Sequence, residues 1–386
     1  PRHTIHSPLP SAVQKYRKGM LRQSVPPNWE RERNEAIMKQ LFITSVRDFE
    51  KNTMGTVEMR EMPMPEPAED EVRIKIIYSS ICGSDAHTLT GHLGEFEEGT
   101  KAMLPMTFGH ELSGVIDKVG PKAEALGYHV GDKVIANYAK YCYACDNCRS
   151  GHENLCSHVQ FCMNGFAEYA VYHVTQVHKL PENYDLETAA LIEPLTIALA
   201  AAEQAHISYG KSVAIMGAGG IGLMLVQLAR LAGASCVTVF DLVEEKCELA
   251  KQLGADYAFD PRKEGAREEA KVAGGAYDCV LEGTGVVSSA ENALKLLARN
   301  GDGVYFAMYG KDPYLQVNLH TDFYWDQKHL HGVIMGAGLF PKAIKLAPRV
   351  NLKALIQKEH PLSRYQDAFA DLYTKKYAKI VIKMDE

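Results

Sequence analysis

The stretch "KSVAIMGAGGIGLMLVQLARLAGASCVTVFD", Lys211 to Asp241, decides the fold. Ser212–Met216 is a continuous apolar run, as a strand buried in a parallel sheet requires. Gly217, Gly219 and Gly222 follow as G-x-G-x-x-G, and Leu223–Leu231 carries helical periodicity. Glycines at these places allow a tight turn, close approach of a pyrophosphate and close packing of helix on strand. The helix N-terminus, with Gly220 and Ile221 in the same cofactor-binding set, favours the anion. A lone glycine motif is weak, but here a second strand, Cys236–Phe240, follows and ends in Asp241, 19 residues after Gly222. A carboxylate there can bond the adenosine ribose hydroxyls and repel a 2′-phosphate, so the unit predicts NAD rather than NADP. A plainer role for Asp241, capping a helix that begins near Glu244, is compatible with it.

Strand-like segments continue at Tyr257–Phe259, Asp278–Leu281, Val304–Met308 and Gly332–Met335, with helical stretches between the earlier ones. That alternation predicts an α/β fold with a doubly wound parallel sheet. Near the end, a helix at Ser363–Tyr373 precedes "YAKIVIKM", a strand expected to return to the first half of the chain. That first half, residues 41–177, is richer in short strands and turns, among them a strand at Glu71–Tyr78.

With 386 residues, the chain predicts about two domains, each able to bury a core. Its 46% hydrophobic and 23% charged residues exclude a disordered or fibrous protein. A net charge of −6 argues against a general nucleic-acid or membrane-surface binder. No apolar run approaches the roughly 18 residues that a membrane span needs. Nine cysteines, an odd number, with no secretory signal in view, favour a reducing, cytoplasmic compartment. The N-terminus carries Arg2, Lys15, Arg17, Lys18 and Arg22 with no acid among residues 2–22, a composition that organelle transit segments share. The simpler reading is a cytosolic extension or oligomer arm, in which "PNWERERNEAIMK" (residues 27–39) looks helical.

Four of the nine cysteines crowd into "KYCYACDNCRSGHENLC", residues 140–156. Cys142, Cys145, Cys148 and Cys156 can reach one point if the chain loops back, and four thiolates in tetrahedral array suit a structural zinc with no open position. A disulfide pair, a nucleic-acid-reading zinc ribbon and an iron–sulfur cluster are the alternatives. The ribbon is disfavoured because Lys140 and Arg149 face Asp146 and Glu153. Cys236 and Cys279, in predicted buried strands, behave as small hydrophobes.

A second metal site is assembled from separate stretches. "SSICGSDAH" holds Cys82, "MTFGHELSGVI" holds His110 and Glu111, and "ALIEPLTIALAA" places Glu193 before Pro194. One thiolate, one imidazole and two carboxylates can make a zinc site that keeps a position for water or substrate. Taken singly, each has a commoner structural role.

In order and spacing, "CGSDAH", "GHELSGVIDKVG", "VGDKV", the four-cysteine lobe, "EPL" and "GAGGIG" resemble the zinc-containing medium-chain alcohol and polyol dehydrogenases over roughly residues 38–386. The resemblance implies a partly open β-barrel (GroES-like) catalytic domain at 38–193 and 337–386, with the structural zinc lobe at 140–158. It further implies a Rossmann NAD-binding domain at 194–336, an N-terminal extension at 1–37 and a homodimer or homotetramer. "GHE" with "EPL" is similar to the sorbitol and threonine dehydrogenase branch. On that basis Cys82, His110 and Glu111 ligate a catalytic zinc, and Glu193 completes the shell or holds its water, giving two Zn2+ per subunit beside NAD(H). Ser84 matches the family's hydroxyl beside the zinc, and His87 the residue that passes a proton to solvent. The implied reaction is hydride transfer from a secondary alcohol to NAD+, with no nucleic acid or membrane as partner.

The substrate is less fixed. Polyol dehydrogenases of this branch carry an Arg-Tyr pair where "HGVIMGAG" has Met335 and Gly336, and a tyrosine where this chain has Thr88. The expected substrates are therefore a polyol, a cyclic polyol or a diol, with an amino alcohol such as L-threonine as the alternative. A non-catalytic nucleotide-binding relative is the reading from another class, disfavoured by the intact Cys82, Ser84, His110, Glu111 and Glu193.

Overall fold

The computed structural model describes residues 36–47, 53–91, 97–263, 275–310 and 313–385. Most of the expected N-terminal extension lies outside them. Where the segment expected to be helical enters the described chain, Ile37–Lys39 instead opens a strand, Ile37–Ser45. The reason is packing: Met38, Leu41, Phe42 and Ile43 are buried, and the strand pairs antiparallel with Thr56–Pro63.

The glycine-motif half forms a six-stranded sheet in which every pair is parallel. Its order is Tyr257–Phe259, Cys236–Phe240, Ser212–Met216, Tyr277–Glu282, Leu297–Tyr305 and His329–Gly332. Numbered by sequence this is 3-2-1-4-5-6, so the switch point falls beside Ser212–Met216, where such sheets bind dinucleotides. The first three strands sit where the sequence places them. The last two run earlier than expected, ending at Tyr305 and Gly332 rather than at Met308 and Met335. Phe306–Gly310 and Val333–Met335 are apolar like strands, but they lie beyond the sheet's last strand residues, with Met335 packed on the four-cysteine lobe.

The first-half sheet is mostly antiparallel. Its central strand, Glu71–Ser80, pairs with Glu111–Val119 on one side and Lys379–Lys383 on the other. The tail thus returns to the first half, as expected, preceded by a helix at Tyr365–Tyr373. Separate apolar cores fill the two halves. One is built around the Ile192–Gln204 and Gly220–Leu231 helices, the other around Leu41, Ile74, Phe108, Ile116 and Phe369. Among the described residues no helix is long and apolar enough to cross a membrane.

His178 lies where the halves meet, its ring stacked on Phe340 at 4.7 Å and 2°. Burial pushes its pKa down to about 4, below the ordinary 6.5. The unfolded chain therefore binds a proton between those values that the folded chain refuses, so stability is present above pH 6.5 and lost as pH falls toward 4. His178→Phe is expected to remove about 3 kcal/mol of acid sensitivity over that window. Urea denaturation of both proteins at pH 7 and pH 4.5 checks this; parallel losses would refute it.

Candidate metal and cofactor site

Three neighbouring strands bring the site residues together. Glu111 opens its strand opposite Ser80, and Cys82 lies two residues beyond that partner. Cys82 caps the helix Gly83–Thr90, where the buried Asp85 carboxylate accepts the Cys82 N–H at 3.0 Å. His110 immediately precedes Glu111, with its ring 4.8 Å from that of Tyr138. Ligand atoms of Cys82, His110 and Glu111 all lie within 4.8 Å of one another. Glu193, buried in the first turn of the Ile192–Gln204 helix, faces this group without belonging to the cluster.

Electrostatics favour a cation here. Asp85, Glu111 and Glu193 are buried beside the Cys82 thiol, with Lys379 the buried counter-charge. Burial first, then Glu111 and Asp85, push Glu193 up to about 7 against the pull of His110 and Lys379. Burial alone would lower the His110 pKa, but Cys82, Asp85 and Glu193 raise it well above normal. Its Nδ1 is buried without a hydrogen-bond partner, with Asp85 Oδ1 4.0 Å away. A thiol, an imidazole and a carboxylate converging in excess buried negative charge fit zinc, and leave a position for substrate. Ser84 and His87 are half-buried on the Gly83–Thr90 helix, three residues apart and hence on one face.

Lys379 is the residue that sequence reasoning missed. Its Nζ donates to both Glu111 carboxylate oxygens, at 2.6 and 2.5 Å, and its stem covers Gly220. A Cβ at Gly220 would stand 2.7 Å from Lys379 Cε, so one side chain touches both the metal cluster and the nucleotide loop. A lone lysine in a tail strand carries no motif; only the expected return of that strand to the first half of the chain hinted at it.

The glycines divide by what excludes a side chain. At Gly222 a Cβ would fall 1.9 Å from the Gly217 carbonyl oxygen, whereas at Gly219 it would meet nothing within 4 Å. Gly222 is thus needed for helix-on-strand packing, and the space over Gly219 is a cradle that a pyrophosphate fits. Asp241 accepts N–H bonds from Ala218 at 2.7 Å and Val243 at 2.9 Å, which holds its carboxylate beside the loop. Ile221 is half-buried against the nucleotide-half core.

In the lobe, Cys142 Sγ lies 3.5 Å from Cys156 Sγ and 3.9 Å from Cys148 Sγ. Zinc–sulfur bonds of about 2.3 Å separate tetrahedral sulfurs by roughly 3.8 Å. The cysteines are free, which sets aside the disulfide alternative. Backbone N–H groups of Ala144 and Cys145 donate to Cys142 Sγ at 3.4 and 3.3 Å, as thiolate ligands require. Bonds from Cys148 and Ser157 N–H bring Cys145 down to about 6, while burial pushes Cys148 up to about 12.

Four substitutions test these assignments. Gly219→Ala is expected to keep the melting temperature but weaken NADH binding, whereas Gly222→Ala lowers the melting temperature itself. Cys148→Ser is expected to lose one zinc per chain by metal analysis. Lys379→Met is expected to cost about 10–100-fold in activity or metal affinity.

Residues 68–182 match the alcohol dehydrogenase GroES-like domain, and residues 220–349 match the zinc-binding dehydrogenase domain. A sorbitol dehydrogenase of Bacillus subtilis is 31% identical over 323 residues, 81% of this chain and 89% of that one. An (R,R)-butanediol dehydrogenase of Saccharomyces cerevisiae is 33% identical over 284 residues, covering 66% and 74%. A crystal structure from Clostridium scindens, assigned to the zinc-binding dehydrogenases, superposes with a TM-score of 0.89 at 66% identity, over 90% of this chain and all of its own. The chain belongs to the zinc-containing medium-chain alcohol and polyol dehydrogenases.

Proposed function

We propose that this dehydrogenase oxidises a secondary alcohol of a polyol or vicinal diol to a ketone with NAD+. The observation that carries the reading is the convergence of Cys82, His110 and Glu111, tied through Lys379 to the glycine loop. The sheets suggest the division of labour: the Glu71–Ser80 sheet holds the metal and the parallel sheet the cofactor. When bound, zinc would supply a Lewis acid that lowers a hydroxyl's pKa, and NAD+ would supply the hydride acceptor. Cys82, His110 and Glu111 hold that metal, with Glu193 completing the shell or holding water. Ser84 takes the substrate hydroxyl's proton and His87 passes it outward. Asp241 selects NAD by repelling a 2′-phosphate.

Polyol or diol is favoured over amino alcohol by relatives named for sorbitol, butanediol and D-arabitol phosphate. Met335 and Gly336 stand where polyol dehydrogenases of this branch carry the Arg-Tyr pair, and the packing there also argues against a distal anchor. A Cβ at Gly336 would stand 2.2 Å from Thr196 Oγ1, and Met335 packs on the four-cysteine lobe. The substrate's far end must then be read by other walls. NADH formation against linear polyols, inositols, vicinal diols and L-threonine tests the class: turnover on a polyol or diol is expected, and turnover confined to L-threonine would overturn it. Cys82→Ala is expected to abolish that turnover while NADH still binds.

A homo-oligomer in the cytoplasm is part of the same proposal. The parallel sheet ends at His329–Gly332, and the same half exposes Tyr314, Leu319, Tyr324 and Trp325. Open strand edges and apolar patches of this kind attract a second copy. The nine free cysteines favour a reducing compartment.

A further inference from the structure

A third group of metal-binding side chains lies far from the glycine loop. In a parallel sheet all strands start at one edge, and the nucleotide loop occupies the other. At the starting edge, Asp302 sits level with Cys279, whose partner Val213 is the second residue of its strand. Around Asp302 is a cavity of about 420 Å³ whose walls include His206, Lys211, Arg299, His329 and His331. His206 Nδ1 lies 3.2 Å and His331 Nε2 3.0 Å from one and the same oxygen, Asp302 Oδ1. The other oxygen, Oδ2, receives Lys211 Nζ at 3.3 Å.

The spacing is informative. Zinc bonds of about 2.0–2.2 Å to imidazole and carboxylate leave tetrahedral ligand atoms roughly 3.3 Å apart. The two nitrogen–oxygen separations are close to that value, and Lys211 engages the other oxygen, leaving Oδ1 to both rings.

The backbone supplies a second observation. His206 ends the Ile192–Gln204 helix in the left-handed region, with φ +48°. Glycine or asparagine is the usual residue there, since a Cβ is strained in that conformation. The Cys279 thiol holds the turn by donating to the Ala205 carbonyl at 3.0 Å. A histidine kept in a strained turn and directed at a buried carboxylate indicates that its side chain is used.

We propose that His206, Asp302 and His331 form a metal site for a divalent transition ion of the zinc class, distinct from the cysteine-held zincs. Two imidazoles and one carboxylate select such ions over magnesium or calcium, whose ligands are oxygens. Water fills the remaining position from the cavity. The site would clamp the end of the Ile192–Gln204 helix, whose first turn carries Glu193, to the edge strand His329–Gly332.

The test is a difference in zinc content of the full chain after equilibrium dialysis against buffered micromolar zinc. The wild type is expected to hold one more equivalent per chain than the His206→Asn, His331→Gln double variant, whatever the occupancy of the other sites. Asparagine suits the left-handed turn, and matching metal-free melting curves establish that the variant folds. Should the double variant fail to fold, His206→Asn alone serves, because that side chain is 63% exposed. Loss of the weakest equivalent in its zinc titration, with NADH-linked turnover unchanged, is then the expected result. Equal zinc content and equal titrations in variant and wild type would overturn the proposal.

Discussion

The contact on which the site depends is the buried pair between Lys379 and Glu111. Placing two charges below the surface is expensive, and the attraction repays it only where geometry is good. Here the ammonium meets both carboxylate oxygens and also lies 3.4 Å from the Ile81 carbonyl. Burial tends to neutralise Lys379, yet Glu111 and Cys82 hold its pKa above normal. Removing one partner would strand a charge, at a cost of about 3–5 kcal/mol. The pair explains why the last strand must return to the first-half sheet: it delivers a cation between an anionic metal cluster and a pyrophosphate cradle.

Around that pair, close approach between elements sets what the pocket can read. Gly336 lets its segment lie directly against Thr196, and Asn154 of the lobe donates to the Ile334 carbonyl at 3.2 Å. With Met335 packed on the same lobe, residues 334–337 are clamped between the four-cysteine unit and the Ile192–Gln204 helix. The lobe therefore has a second consequence beyond its own stability: it holds residues 334–337 against the helix that carries Glu193.

Much of this was legible in the sequence because it rests on local patterns. The Ser212–Met216 and Cys236–Phe240 strands and the glycine turn follow from periodicity and backbone sterics over a few residues. The four cysteines declare themselves by spacing. Lys379 does not, because its meaning comes from an ion pair with a residue some 270 positions away in the chain. His206, Asp302 and His331 were equally silent, since three separate stretches carry them and each residue alone has a plain structural role. The apolar run at Gly332–Met335 was misplaced for a related reason. Apolar residues leaving a sheet to pack on a neighbouring lobe look like those inside it.

The most direct test of the account is anomalous diffraction at the zinc absorption edge from crystals grown with NADH. A peak among Cys82 Sγ, His110 and Glu111, with the pyrophosphate over Gly219 and Lys379 between them, is the result expected. A peak confined to the four-cysteine lobe, with NADH bound and none beside Cys82, would contradict it.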